Sequence, residues 1–397
     1  MSNYLIKLTP VGKYFFGGDM TFPVGKEKKP ENWKDLREEK QKKIEEEISF
    51  NTRYSSYIIE SEKFPQQTSL LGMLRFFLLR NTSDLFENGG IVKDKQNEVE
   101  ELIGPSSFPS DNYGIIECIH PCFLMKDGVA VTRVPMDNGF NSVVIDGKTN
   151  GTDDGKTKIL HYNGNSVNLS TLTLQNDRGI VPYSAKDYRE TYYWDENKNT
   201  YKEDAIFIKD QRIGINRNIE TGITEDNSLF KQVNYRLADG FCFAFYAVIN
   251  KEISETIISS PQIVSIGADS SQFVIELKKI DGGIPELPAL DTSVDLQGCA
   301  SKVVLVSPAF IEKEAEKMPD FAITETIPFK YMQTNVKETK SYHRLSGIKH
   351  SERVELFQTG SVFYFNSEDS ANAFGKKLEE KTDYRKIGYN YYKNVKK

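Results

Sequence analysis

The sequence is poor in residues that staple a chain, chelate a metal or enter a bilayer. Its 397 residues include four cysteines, at 118, 122, 242 and 299, too few and too scattered for a disulfide framework. That usage fits a reducing cytoplasm. Only four histidines are present. Cys118-Ile-His120-Pro-Cys122 brings cysteine and histidine together, but the spacing is not that of a zinc finger and no second pair lies nearby, so no metal or other cofactor is expected. No apolar run approaches the length of a membrane span, and Met1-Ser-Asn-Tyr-Leu lacks the basic and apolar regions of a secretory signal. A soluble, cytoplasmic protein without a membrane partner is the expectation. A basic excess is missing too: 51 basic residues face 57 acidic ones, a formal charge of −6. That balance speaks against a free, promiscuous nucleic-acid binder, whose affinity would rest on a basic field, but not against RNA held in a local basic groove within a complex.

What is there suits two domains. Hydrophobic content of 38% is low but sufficient for real cores, and 12% aromatic content argues against disorder. Tyr4 to Leu8 alternates as a first strand, followed by Phe15-Phe16-Gly17-Gly18-Asp19, where two glycines allow close backbone approach. Glu31 to Ile48 is charge-dense and reads as an exposed helix or a partly disordered insertion. Pro65-Gln66-Gln67-Thr68-Ser69 leads into a helix capped by Thr68 or Ser69. Its apolar stripe is Leu70, Leu71, Leu74, Phe77 and Leu78, with Arg75 and Arg80 off the stripe. The free N–H groups of such a helix start are apt for phosphate.

Gly114 to Met125 reads as a strand, and Asp127-Gly128 turns the chain into Val129 to Val134. Asp137 to Asp177 shows almost no periodicity and reads as a long irregular insertion. Tyr183 to Tyr193 mixes tyrosines with Lys186 and Arg189, either as a stacking surface or as anchors for that insertion. Gln211-Arg212-Ile213-Gly214-Ile215-Asn216-Arg217 is a short strand before a polar run at 218–227. Beyond Leu229-Phe230, a three-residue Ala238–Gly240 loop predicts a hairpin in which Tyr235 faces Phe243 and Val233 faces Phe245, because only that register makes one face apolar throughout.

In the second half, Ile263 to Leu277 reads as two strands around a small-residue turn, Lys302 to Val306 as a buried strand and Ile311 to Lys317 as a short helix. Gly360-Ser361-Val362-Phe363-Tyr364-Phe365 is another strand, after which Ser367 caps a helix over Glu368 to Glu380. From Lys376 to Lys397 the net charge is +5, either an anionic partner's site or a solvated tail.

Five stretches resemble, in order, the RAMP superfamily of CRISPR effector subunits, and within it the family of the third subunit of the type III-B Cmr complex. They are Phe16 to Asp19, Pro65 to Arg75, Arg212 to Phe230, Gly360 to Phe365 and Gly388-Tyr389-Asn390, with asparagine where the family has a glycine. Gly267-Ala268-Asp269 sits where the family has a glycine-rich acidic loop. The first stretch lacks an arginine that the family often carries. The resemblance implies an α+β fold of two ferredoxin-like (RRM-like) domains with long insertions, spanning 1–250 with insertions at about 31–48 and 137–201, and 251–397. It implies a non-catalytic subunit that holds the repeat-derived 5′ tag of the crRNA, through a thumb hairpin around 218–227 among other parts, and docks on the Cas10-type large subunit and other Cmr subunits in antiviral defence.

The RNA-binding candidates are Gly17, Gly18, Gln67, Thr68, Arg75, Arg212, Arg217, Phe230, Arg344, Lys349, Arg353, Gly388 and Tyr389. The arginines and Lys349 would meet phosphates, while Phe230 and Tyr389 would wedge bases. The alternative is a RAMP endoribonuclease that processes repeat RNA, with His343 and His350 as its acid and base.

Overall fold

The computed structural model describes residues 1–17, 57–82, 84–92, 94–138, 142–145, 159–162, 173–176, 179–182, 191–217, 224–267, 271–288, 295–297, 300–336 and 349–396. The expected helix at 31–48 lies outside them. The fold is mixed α+β, rich in strands and with few helices. No helix among the described residues is long and apolar enough to cross a membrane.

The first strand, Ser2–Pro10, forms the middle of the larger sheet. It pairs antiparallel with Phe241–Ile249 on one side and with Gln272–Ile280 on the other. Alternation puts Tyr4, Ile6 and Leu8 on one face, beside Phe243, Phe245, Ile275 and Leu277, and all of these are buried. The Gln67–Arg80 helix covers that face with Leu70, Leu71, Leu74, Phe77 and Leu78, the expected stripe. Each such side chain contributes about 1.5–3 kcal/mol by leaving water, so this contact is the main support of the first half. The helix start differs in detail from expectation. Its N-cap is Gln66, with no side-chain cap bond, and Thr68 and Ser69 are the second and third residues of the first turn.

The expected hairpin between Val233–Leu237 and Phe241–Phe245 does not form. Thr224–Leu237 pairs with Phe207–Arg217 on one edge and runs parallel to Tyr57–Glu60 on the other. Phe241–Ile249 also has both edges occupied, by Ser2–Pro10 and by Ile116–Ile119 and Phe123–Lys126. A strand has only two hydrogen-bonding edges, so the two segments part at the turn. Other features of the reading hold: Gly240 has a φ of +81°, and Tyr235, Phe243 and Phe245 enter one core.

The second sheet is built from Ser301–Leu305, buried throughout, with Phe321–Ile323, Val362–Phe365 and Tyr392–Lys396. Taken in chain order, its strands lie second, third, first, fourth across the sheet. The same order appears in the larger sheet among Ile116–Lys126, Phe241–Ile249, Ser2–Pro10 and Gln272–Ile280. The Glu368–Glu379 helix packs Ala371, Phe374 and Leu378 against Val303, Phe363 and Phe365. As expected, Ser367 caps it: its Oγ accepts from Ser370 N at 3.2 Å. The helix expected over Ile311 to Lys317 is a single 3-10 turn, Ala315–Lys317.

Gln262–Ser265 and Gln272–Ile280 pair with each other and with Ser2–Pro10 in the first sheet, so the chain crosses the seam between the two sheets after Ile280. The insertion expected to be irregular contains strands: Ser142–Ile145, Ile159–Tyr162, Thr173–Asn176 and Gly179–Pro182 join Asp295–Gln297 in a separate five-stranded sheet. Tyr192–Asp195 extends the large sheet next to Val129–Arg133. Short strands separated by polar runs carry too little periodicity to be read from one sequence.

A buried ion pair crosses the seam. Lys302 Nζ lies 2.9 Å from Asp137 Oδ2, with side chains 3% and 0% exposed, and the Tyr364 hydroxyl donates to the same oxygen at 3.0 Å.

Candidate nucleic-acid interface

The projecting hairpin supplies the first part of the site. Its base is held by Phe207, Val233 and Tyr235, all buried, and by paired backbone bonds between Tyr14 and Tyr235 at 2.8 and 3.1 Å. The Tyr235 hydroxyl donates to Glu60, and Lys209 sits 3.0 Å from the same carboxylate. Burial pushes the Glu60 carboxyl up, but these two partners outweigh it and hold it below its ordinary range. Farther out the strand leaves the core: Gln211, Arg212 and Ile213 are exposed, Ile213 at 74%. Arg212 pairs across to Gln232, and Arg217 to Thr224, so Arg212 and Gly214 share one face and Ile213 lies on the other. Phe230 lies opposite Gly214.

Three loops meet beside the hairpin base. Phe15 N donates to Ser271 Oγ and Phe16 N to Ser61 Oγ, both at 2.8 Å, and Glu62 N donates to Gly17 O at 2.7 Å. Gly267 is needed there: its φ is +84°, and a Cβ would lie 2.4 Å from Phe15 O. Gly17 has a φ of +86°, and among the described residues nothing lies within 4 Å of where its Cβ would be. Gly18 lies outside the described residues. The first motif and the small-residue turn, distant in sequence, thus form one corner.

The second part is internal. Gln67 is 3% exposed. Its Nε2 donates to His120 O at 3.2 Å and Gly388 O at 3.0 Å, and its backbone N donates to the Tyr389 hydroxyl at 3.2 Å. Its Oε1 has no hydrogen-bond partner among the described residues. A Cβ on Gly388 would meet Gln67 Nε2 at 2.0 Å and His120 O at 2.7 Å. Asn390 adopts φ +60°, the geometry expected where the family has glycine. Its side chain accepts from Phe310 N at 2.8 Å and donates to Phe310 O and Leu378 O at 3.1 and 3.2 Å, fixing that loop. Burial lowers the His120 imidazole to about 4, assisted by Arg385.

Two expectations change here. Arg75 is buried, and its Nε and Nη2 donate to Ile103 O at 2.6 Å and Gly104 O at 3.1 Å, at the C-terminus of the Gln96–Ile103 helix. It therefore satisfies orphan carbonyls instead of reaching out to phosphate. Tyr389 is 2% exposed and packs edge-to-face on Phe329 at 5.3 Å, so it fills the seam where a surface wedge was expected. Burial raises its hydroxyl well above the ordinary range. Thr68 is half-buried in the first helical turn.

Lys349 and Arg353 lie on or next to the short ladders of the second half. Lys349 and His350 pair with Gln333 and Met332, and the Arg353 guanidinium holds Glu355 at 2.9–3.0 Å. Arg344 and His343 lie outside the described residues. The described candidates are thus divided among the hairpin, the seam and the segment around Lys349–His350.

Sequence reasoning missed a cleft of about 1050 Å³ between the two halves. Phe64, Tyr193, Phe329 and Tyr389 line it, with Lys63 bound to Glu203 and Arg133 bound to Glu325 at 3.2 Å. These residues lie far apart in the chain, and no spacing announces them. Tyr193 was visible as part of an aromatic run. It is buried and stacked on Phe64 at 6.2 Å, the anchoring alternative for that run.

The family described as CRISPR-associated protein (Cas_Cmr3) matches residues 186–394, just over half of the chain. No curated protein matches. Among solved structures, the chain is similar to one in the cryo-EM structure of the type III-B Cmr-beta complex bound to cognate target RNA and AMPPnP. Identity is 14%, coverage 98% of this chain and 95% of that one, and the TM-score 0.46. A chain of the Csm3–Csm4 subcomplex of a type III-A interference complex is similar at 9% identity, covering 91% and 92%, with a TM-score of 0.33. The family match takes in the projecting hairpin, the Gly360–Phe365 strand and the Gly388–Asn390 loop, three of the five motifs, and on that footing this chain belongs to the Cas_Cmr3 family of CRISPR-associated proteins.

Proposed function

We propose that the chain is the crRNA-holding, non-catalytic subunit of a type III-B (Cmr) RNA-guided effector complex in the cytoplasm. In this reading it grips the repeat-derived 5′ tag and docks on the Cas10-type large subunit, in antiviral defence. The observation that carries the reading is that, in a Cas_Cmr3 family member, the Arg-x-Gly-Ile strand leaves the core as a hairpin with Arg212 exposed. Single-stranded RNA is gripped by scattered cations, aromatic faces and backbone N–H groups instead of a uniform basic field, which suits a net-acidic chain with a local projecting element. The matching strand order of the two sheets, each with a helix on one face, supports two ferredoxin-like domains joined after Ile280.

The test is retention of crRNA by the chain together with its large-subunit partner. Intact 5′ tag is retained better than a scrambled tag; equal retention overturns the reading. Replacing both Arg212 and Arg217 with glutamate weakens crRNA retention and shallows its salt dependence, since each lost phosphate contact removes about one unit of slope. Repeat-RNA cleavage in cells is expected to be unchanged when His343 and His350 are both alanine, and a loss of cleavage would favour a nuclease.

A further inference from the structure

We propose that Arg236 is a second RNA-phosphate contact of the projecting hairpin, on the same face as Arg212, and that one RNA strand runs along that face from Arg212 to the hairpin base. The proposal rests on the reading above in taking the hairpin to meet RNA. It adds which face does so, and a residue that no motif singles out.

The arginines separate by partner. Among those whose side chains are described, Arg75 and Arg80 donate to backbone carbonyls, and Arg133, Arg353 and Arg385 are paired with Glu325, Glu355 and Glu379. Arg212 and Arg236 are exposed, and neither makes a hydrogen bond or ion pair with a described residue. Strand register puts these two on one face: Ile208 lies opposite Arg236 and Arg212 opposite Gln232, with Asp210 and Asn234 between. Arg236 and Gln232 are four residues apart on one strand, so the two guanidiniums are rooted about 13 Å apart along it. The stretch between them carries no uncompensated carboxylate. Asp210 has Lys13 3.7 Å away, and Asn234 is buried and accepts from Gln232 Nε2 at 3.4 Å. Ile208, 38% exposed, offers an apolar contact for a ribose or base edge beside Arg236.

An unpaired, exposed guanidinium presents a planar fork of donors that fits two phosphate oxygens at once. Two of them on one projecting face give a chain of net charge −6 the local cationic track that it lacks as a whole. A protein partner fits less well. Protein interfaces are built on a buried apolar centre, whereas this face offers Ile208 among arginines, Gln232 and the Lys13–Asp210 pair. The opposite face is engaged at its base, where Lys209 is bound to Glu60 and Val233 and Tyr235 are buried. Farther out that face carries Lys231, half-buried and paired across to Ile213. It is a cation of the same hairpin pointing the other way, and so an internal control.

The test uses the full-length chain assembled with its large-subunit partner and crRNA, with crRNA retention measured from low to high salt. Arg236→Gln is expected to weaken retention and to lower the slope of log affinity against log salt by about 0.7–1 unit, and Arg212→Gln with Arg236→Gln by about twice that. Arg236→Lys, which keeps the charge, is expected to restore most of the slope. Lys231→Gln removes the same charge from the other face and leaves the slope as it was. A slope unchanged in Arg236→Gln, or lowered as much in Lys231→Gln, overturns the proposal. p-Benzoylphenylalanine in place of Ile208 supplies a second arm: irradiation is expected to join position 208 to crRNA, and a crosslink to a protein subunit, or none, overturns the proposal. Phosphate contacts carry no sequence information, so Arg236→Gln acts alike on intact and scrambled 5′ tags. The two readings therefore fail separately. Equal retention of both tags by the parent chain sinks tag recognition while these slopes stand, and a silent Arg236→Gln beside an effective Arg212→Gln sinks only the present proposal.

Discussion

The projecting hairpin and the seam around Gln67 and Tyr389 present the same kinds of residue in opposite roles. In the hairpin, a strand that begins on buried Phe207 runs outward until Arg212 and Ile213 stand in solvent. At the seam, an equally polar set, Gln67, His120, Gly388 and Asn390, is folded inward and spends its hydrogen bonds on backbone. Exposed polar groups keep their water and are free to trade it for a ligand. Buried ones must be satisfied by the protein, so a change there is felt as lost stability. A motif therefore locates a segment without saying which of these it serves.

The contrast is sharpest under substitution. Gly388→Ala is expected to cost about 3 kcal/mol or more, because the new methyl meets Gln67 Nε2 and His120 O on a backbone with φ +90°. Thermal unfolding checks it, and a melting curve like that of the parent would show that the seam yields. Breaking the ion pair that crosses the halves comes next. Lys302→Met removes the ammonium 2.9 Å from the buried Asp137 carboxylate, which keeps the Tyr364 hydroxyl, and is expected to cost about 3 kcal/mol. Adding Asp137→Leu to Lys302→Met should recover most of that loss in denaturant titrations, because the pair's solvation penalty then disappears with it.

A smaller, pH-dependent effect belongs to His120. Its folded value of about 4 lies below the ordinary 6.5, so the unfolded chain binds more protons between those limits. Stability contributed by the neutral imidazole is present above pH 6.5 and is lost as pH falls toward 4, on the order of 2 kcal/mol in all. His120→Gln should flatten that part of the stability profile. The smallest effect is at the hairpin: Arg212→Glu is expected to change unfolding free energy by less than about 0.5 kcal/mol, since the side chain is exposed. A large loss there would erase the distinction between the two regions.

Much of the architecture could be read from local pattern. Alternation marked Ser2–Pro10, the stripe at Leu70, Leu71, Leu74, Phe77 and Leu78 marked the covering helix, and Ser367 marked the start of Glu368–Glu379. Asn390 was legible as a left-handed stand-in for glycine because its side chain tolerates that geometry. Strand partners were not legible. The apolar face of Val233 and Tyr235 was right, but which strands occupied their edges depended on Phe207–Arg217 and Tyr57–Glu60. Among the candidate arginines, Arg212 is exposed, while Arg75 looked the same in sequence and is buried on the carbonyls of Ile103 and Gly104.

By itself, then, the order of residues determined the longer, strongly periodic helices and strands, which of their faces are apolar, and the motifs that place the chain in its family. Those are short-range properties, set by side-chain period and turn chemistry. Tertiary structure alone decided which arginine faces water, that the two halves meet across a buried lysine–aspartate pair, and that a cleft opens between them. Burial and charge density arise from contacts among residues hundreds of positions apart, and no local spacing encodes them.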